Sequence, residues 1–269
     1  MFGLKTSGFH DFTGMDTSEL PYMPRAEYIK LLKDSESVFE FWIRISQRLL
    51  GYQDSQLFGE KTPCNSIHFK EALLINSQLY CIHIYRNPYD VLASLVSRGK
   101  SPMQALALYL YNTVNALEAR EMPNYIPVSY ESLVTKPKEE VTRILDGLSH
   151  EFQDQMIRPT KDSGSAVTKI DGWKYDETGK IESGSINRFL NLDPSVKTRL
   201  ISLIDRVKIY PEVSRFNSVK EIGQVLDYNF LDNLEINSEA ARKEFEAHQK
   251  SYRFHQKVFK GNKYPFYFE

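Results

Sequence analysis

Tyr80-Cys81-Ile82-His83-Ile84-Tyr85-Arg86-Asn87-Pro88-Tyr89-Asp90-Val91-Leu92-Ala93-Ser94 is the stretch that decides the fold. Alternation and β-branching over 80 to 85 predict a short buried strand. Asn87, Pro88 and Asp90 then supply the N-cap, first-turn proline and first-turn acid of a helix that carries Ser94 about two turns in. Strand, loop and helix in that order form the unit of a parallel α/β sheet, where ligands bind at the carboxyl ends of the strands. Arg86 at the strand end and Ser94 on the helix stand where an anion binds, so the stretch predicts a phosphate site.

Upstream, Gln56 to Gly59 reads as a short strand ending at Glu60, and after Pro63 either Asn65 or Ser66 caps a helix through Leu74. Downstream, Gly99-Lys100-Ser101-Pro102 is a break, and Ser101 with Pro102 starts a helix to about Arg120 with Leu106, Leu110, Val114 and Leu117 as its buried stripe. Tyr125 to Ser129 is a second strand, and Glu139 to Leu148 a helix with Val141, Ile144 and Leu145 inward. The alternation from 56 to 148 fits a parallel sheet with right-handed crossovers.

The flanks are of other kinds. Residues 1 to 24, with three glycines and two prolines, read as irregular structure. Arg25 to Lys33 and Ser37 to Leu50 carry apolar residues at helical spacing, with Phe41 and Trp42 assigned to core packing. From 159 to 185 the composition turns to Lys, Asp, Ser, Gly and Thr, a long surface loop that is either a functional lid or disordered. Helices follow from Asp193 to Val207, around Val219 to Leu226, and from Ser238 to about Lys257. The tail, Tyr264 to Phe268, either tucks back onto the domain or docks on a neighbour. The resulting division is an α/β domain over 1–217 and a helical C-terminal extension over 218–269.

A chain of 269 residues, 41% hydrophobic and 13% aromatic, can bury a sizeable core. A net charge of -1 argues against a nucleic-acid partner that needs a broad basic surface, so any anion site is local. Two cysteines, Cys64 and Cys81, are too few for a disulfide scaffold and indicate a reducing compartment. No run of about 18 apolar residues occurs and Met1-Phe2-Gly3-Leu4-Lys5 lacks the apolar region of a signal peptide, so a soluble, cytoplasmic protein without a membrane span is expected. Cys64, His68 and Cys81 lack the spacing of a zinc site, and no metal is expected.

Glu60-Lys61-Thr62-Pro63, followed some twenty residues later by Ile82-His83-Ile84-Tyr85-Arg86-Asn87-Pro88-Tyr89-Asp90-Val91-Leu92-Ala93-Ser94-Leu95, resembles the core of the sulfotransferases that use 3′-phosphoadenosine 5′-phosphosulfate, PAPS. Val128-Ser129-Tyr130-Glu131-Ser132-Leu133 resembles a second segment of that family. The resemblance spans roughly 57 to 148, with a weaker match near 183 to 193. It implies a three-layer P-loop NTPase-like α/β fold with a central parallel sheet flanked by helices. It also implies that Arg86 and Ser94 bind the 3′-phosphate of PAPS and that Tyr130 lies near the adenine. Arg188, in Ser183-Gly184-Ser185-Ile186-Asn187-Arg188, matches the basic segment that closes over the 3′-phosphate.

The family's opening strand and Pro-Lys-Ser-Gly-Thr-Thr-like loop, which hold the 5′-phosphosulfate, have a comparable stretch only in Lys5-Thr6-Ser7-Gly8. That stretch lacks a preceding strand, and the expectation is that the first strand, loop and helix precede Met1 or have been lost.

Sulfuryl transfer needs the donor and acceptor oxygens aligned, charge neutralised on the leaving phosphate and a proton removed from the acceptor. Glu60 and Lys61 are the catalytic candidates on the resemblance, with His68 the alternative base. A free Glu titrates near ~4.3, so burial has to raise that value for base catalysis near neutrality. Structural alternatives stand beside each role: a solvated ion pair for Glu60 and Lys61, pairing with Asp90 for Arg86, a bond to its own preceding turn for Ser94, and a core position for His83. The expected activity is sulfuryl transfer from PAPS to a hydroxyl or amine of a small metabolite or carbohydrate. The alternative is a catalytically impaired relative acting as a nucleotide-binding or interaction module. A P-loop kinase is disfavoured because no Gly-x-x-x-x-Gly-Lys-Ser/Thr occurs.

Overall fold

The structure is a computed structural model that describes residues 24–36, 38–50, 59, 61, 63–158, 181–211, 214–228, 236–249 and 266–269. It divides into two units, residues 1–65 and 66–269. In the first, α1 (Arg25–Asp34) and α2 (Val38–Leu50) join through buried Tyr28, Leu32, Phe41 and Ile45, as the apolar spacing requires. The Tyr28 and Phe41 rings meet edge-on at 5.2 Å. The side chain of Trp42 and the strand expected over 56 to 59, apart from Gly59, lie outside the described residues.

The segment after Pro63 departs from expectation. It opens as a 3-10 helix over Pro63–His68, and α3 begins only at Phe69, running to Ile75, with no side-chain cap from His68. Neither Asn65 nor Ser66 stands at the N-cap, which falls on His68; the Ser66 hydroxyl donates to Asn112 Oδ1 at 3.1 Å.

From here the reading of local signals matches closely. Strand β1 is Cys81–Tyr85 and α4 is Pro88–Val96, with Asn87 as N-cap accepting from the Tyr89 N–H at 3.0 Å. Gly99 at φ 80° takes the left-handed turn that follows α4. Ser101 and Gln104 then form a reciprocal capping box at the start of α5 (Pro102–Leu117). Strand β2, Tyr125–Ser129, runs parallel to β1 with Cys81 opposite Tyr125 and Tyr85 opposite Ser129. Its continuation, α6 (Tyr130–Thr135), was not expected; Ser129 caps it by accepting from the Ser132 N–H. The next helix, α7, starts at Pro137 rather than Glu139 and ends at Gly147, because proline at the first helical position costs no hydrogen bond.

The β1 run is buried on one face only. Cys81 and His83 are buried among Leu73, Ala119 and Tyr125, whereas Ile82 and Ile84 are 39% and 53% exposed. The reading of a strand buried throughout is corrected accordingly.

Helix α8 (Pro194–Arg206) is capped by Asp193, which accepts from the Ser195 N–H at 2.8 Å. It stops one residue short of expectation, since Val207–Ile209 forms strand β3. After α9 (Val219–Val225) and α10 (Ser238–Gln249), strand β4 (Phe266–Phe268) pairs antiparallel with β3, Val207 opposite Phe268. The aromatic tail thus folds back on its own chain, with Phe266 only 1% exposed. Leu92, Leu106, Leu110, Leu203, Ile222, Phe245 and Phe266 belong to one core that joins α4, α5, α8, α9, α10 and β4. The architecture is mixed α/β, and among the described residues its parallel sheet holds two strands.

Candidate functional site

The site grows out of the β1–β2 register. Parallel strands end on the same side, so pairing Tyr85 with Ser129 brings the next residues, Arg86 and Tyr130, together. The Arg86 guanidinium carbon lies 4.8 Å from the centre of the Tyr130 ring. One residue further, the Asn87 N–H donates to Glu131 Oε1 at 2.9 Å. The other carboxylate oxygen of Glu131 accepts from the Ser129 hydroxyl at 3.1 Å and from the Tyr228 hydroxyl at 2.7 Å. Glu131 therefore ties both strand ends to the segment after α9. Burial first, and then this carboxylate, push the Tyr228 hydroxyl well above the usual phenol range, so it stays protonated as a donor.

The first turn of α4 carries a second carboxylate hub. Asp90 is 3% exposed. It lies 3.4 Å from Arg86 Nη2 and accepts from the backbone N–H groups of Asn187, at 2.7 Å, and Phe189, at 3.0 Å. Asn187 takes the left-handed conformation at φ 62°, which asparagine tolerates, and leads into a 3-10 turn over Arg188–Asn191. Phe189 is buried and its ring lies 4.7 Å from that of Tyr89. The Ser185 carbonyl accepts a hydrogen bond from Arg86 Nη2. Residues 185 to 189 are thereby strapped across the Arg86 loop. Arg86 Nε is buried without a hydrogen-bond partner.

Ser94, 6% exposed, stands one turn beyond Asp90 on the same face. Its hydroxyl oxygen accepts from Arg98 Nη2 at 3.0 Å, so it is engaged by the following turn rather than the preceding one. In the middle of β1, His83 shares a 2.5 Å hydrogen bond through Nδ1 with the Tyr125 hydroxyl. Burial holds its imidazole down to about 4, so it is neutral. Burial also pushes the Cys81 thiol up to about 11.

Compared with known proteins, residues 18–154 match a family model described as the sulfotransferase family, half of the 269-residue chain. The chain belongs to the sulfotransferase family. Two solved structures also align with this sulfotransferase. One is the sulfotransferase domain from the curacin biosynthetic pathway, at 18% identity and TM-score 0.42, covering 82% of this chain and 79% of that one. The other is the sulfotransferase domain from the Synechococcus PCC 7002 olefin synthase, at 17% identity and TM-score 0.42, covering 83% and 81%. No curated protein gives a significant sequence match.

Of the sequence-derived candidates, Arg86 and Tyr130 come together directly, while Ser94 stands along α4 on the Asp90 face. Arg188 is exposed and follows Asn187, whose backbone Asp90 holds. Lys61 is exposed and belongs to the first unit, and Glu60 lies outside the described residues. His68 ends the 3-10 helix, partly buried, and His83 is a core residue. Sequence reasoning missed the hubs. Glu131 lies in the Val128–Leu133 segment with no local signal of its hub role, and the sequence around Asp90 shows only a helix-start acid and a partner for Arg86. Tyr228 carried no local signal. Among the described residues no group of three or more His, Cys, Asp or Glu side chains could hold a metal, and no helix is long and apolar enough to cross a membrane.

Proposed function

We propose that this sulfotransferase moves a sulfuryl group from PAPS to a hydroxyl or amine of a small metabolite or carbohydrate, on a three-layer P-loop NTPase-like domain. The observation that carries the reading is Arg86. Its guanidinium lies over Tyr130 at the paired strand ends, and its buried Nε has no protein partner. A buried donor left unsatisfied is costly, and an anion at the strand ends would satisfy it.

PAPS would supply the activated sulfuryl group. Arg86 and Ser94 bind its 3′-phosphate, Tyr130 packs near the adenine, and Arg188 adds a cation from the strap. Glu60 takes the acceptor proton, and Lys61 neutralises charge beside the transferred group. The fit is favoured by residue type: a planar guanidinium, a hydroxyl and an aromatic ring suit a nucleotide phosphate and its base.

Titration calorimetry of the whole chain with adenosine 3′,5′-bisphosphate tests the reading. Binding that Arg86→Ala weakens about 10- to 100-fold supports it, the loss expected for a hydrogen bond to a charged group. No binding to the wild-type chain, or equal binding by the variant, sinks it. Transfer of labelled sulfate from PAPS to a panel of hydroxyl and amine acceptors then identifies the acceptor. Binding without any transfer would leave a nucleotide-binding module.

A further inference from the structure

Strand β1 meets another strand on one edge only. Among the described residues its partner is β2, and no strand lies along its outer edge. The face that carries Ile82 and Ile84 is open as well, and Tyr80, 41% exposed, continues the row. In register with that row, Ile126 and Val128 of β2 are buried where α7 lies against β2. Arg143 of α7 donates to the Pro127 carbonyl at 2.6 Å, and a Cβ on Gly147 would stand 3.1 Å from Ile126 Cδ1. That cover leaves the β1 row bare.

The row lacks the devices that keep a sheet edge from pairing, which are edge charges, prolines and bulges. From Ala72 to Tyr85 the chain holds no Asp, Glu, Lys or Arg, and β1 pairs with β2 residue for residue, without proline or bulge. Leu74 and Ile75, which end α3 just before it, are exposed too. Contiguous apolar surface of this kind marks an interaction site.

The chemistry of the row selects its occupant. It offers no charge for an acidic or basic segment to match, whereas an identical uncharged row satisfies it. A twofold contact needs such a self-complementary surface. Antiparallel pairing about an axis through Ile82 sets Ile82 opposite its own copy and Tyr80 opposite Ile84 of the second copy. These are the β-branched and aromatic cross-strand pairs that stabilise antiparallel sheets.

We infer that β1 forms a twofold dimer interface: the outer edges of two β1 strands pair antiparallel and join two parallel sheets into one of four strands. The inference is independent of the nucleotide reading. Arg86 lies four residues beyond Ile82, so the two Arg86 strand ends point in opposite directions, roughly 26 Å apart along the strands. Each copy keeps its own crevice.

The test is sedimentation velocity on the whole chain over a concentration series. The wild type should pass from monomer to dimer as concentration rises. Ile82→Lys sets two ammonium groups face to face on the axis and should raise the dissociation constant about 30-fold or more, as loss of a central interface contact does. Its far-UV circular dichroism should be unchanged, because the position is exposed. On oxidation Ile82→Cys should give a disulfide-linked dimer beyond any that the wild type forms through Cys64 or Cys81. Ile84→Cys should not, since its two copies stand roughly 13 Å apart.

A wild type that stays monomeric throughout overturns the inference, and the row is then covered by another segment of the chain or by a different protein. A dimer that Ile82→Lys leaves intact, or equal cross-linking by the two cysteine variants, overturns it as well. If Ile82→Lys fails to fold, Ile82→Thr decides: weakened dimerisation supports the pairing, and unchanged dimerisation refutes it.

Discussion

His83 offers a prediction whose size follows from its surroundings. The ring is buried on the inner face of β1, bonded to the Tyr125 hydroxyl, and its pKa falls from 6.5 to about 4. A base whose folded pKa is depressed binds its proton more readily when unfolded. Its neutral form therefore contributes full stability above pH 6.5, and that contribution is lost as pH falls toward 4. At about 1.36 kcal/mol per pH unit, lowering the pH from neutrality to 5 removes about 2 kcal/mol through this residue alone. His83→Gln keeps a hydrogen-bonding group for Tyr125 but cannot titrate. Urea unfolding of both proteins from pH 7.5 to 4.5 measures the difference, which should close by about 2.5 kcal/mol as the wild type weakens. A difference independent of pH would refute the burial argument and place a charged or solvated imidazole at this position.

The two carboxylate hubs yield further expectations. Glu131→Gln removes the charged acceptor shared by Asn87, Ser129 and Tyr228 and should cost roughly 1–3 kcal/mol, against about 1 kcal/mol for Tyr228→Phe, which deletes a single bond; urea midpoints rank them, and equal losses would mean that the strand-end bonds add nothing. Asp90→Asn breaks a buried ion pair and one of two backbone bonds to the strap, and should destabilise by roughly 3 kcal/mol. Trypsin cleavage after exposed Arg188 should accelerate in that variant, and an unchanged cleavage rate would show that Asp90 does not hold residues 187 to 189.

What the sequence made legible was local. Asn87 with Pro88, and Ser101 with Pro102, announce their helices because a cap and a first-turn proline act within one turn of themselves. Arg86 could be named because it follows a short apolar run bounded by turn signals, whereas Tyr130 is named on the family resemblance alone. The rest depends on partners far along the chain. Val207–Ile209 is too short to show a strand period and becomes a strand by pairing with Phe266–Phe268, with a further bridge from Lys208 to Ser218. Asn65 and Ser66 read as caps, yet the chain first makes a 3-10 helix over Pro63–His68 and the α-helix begins only at Phe69. Nothing near Tyr228 foretells Glu131, and nothing near Asp90 foretells Asn187.

Those ties also bear on how the chain reaches its folded form. Arg86 and Ser185 are 99 residues apart, and Asp90 and Asn187, like Glu131 and Tyr228, are 97 apart. Closing loops of that length costs entropy that a single hydrogen bond does not repay, so such contacts form after helices such as α4 and α5 have condensed. Bonds of this kind can rupture locally, at lower free energy than global unfolding. These strand-end contacts thus form later than helices such as α4 and α5 and open more readily than they do. Native-state amide exchange should show the Asn187 and Phe189 protons, bonded to Asp90, exchanging through a low-energy opening separate from global unfolding.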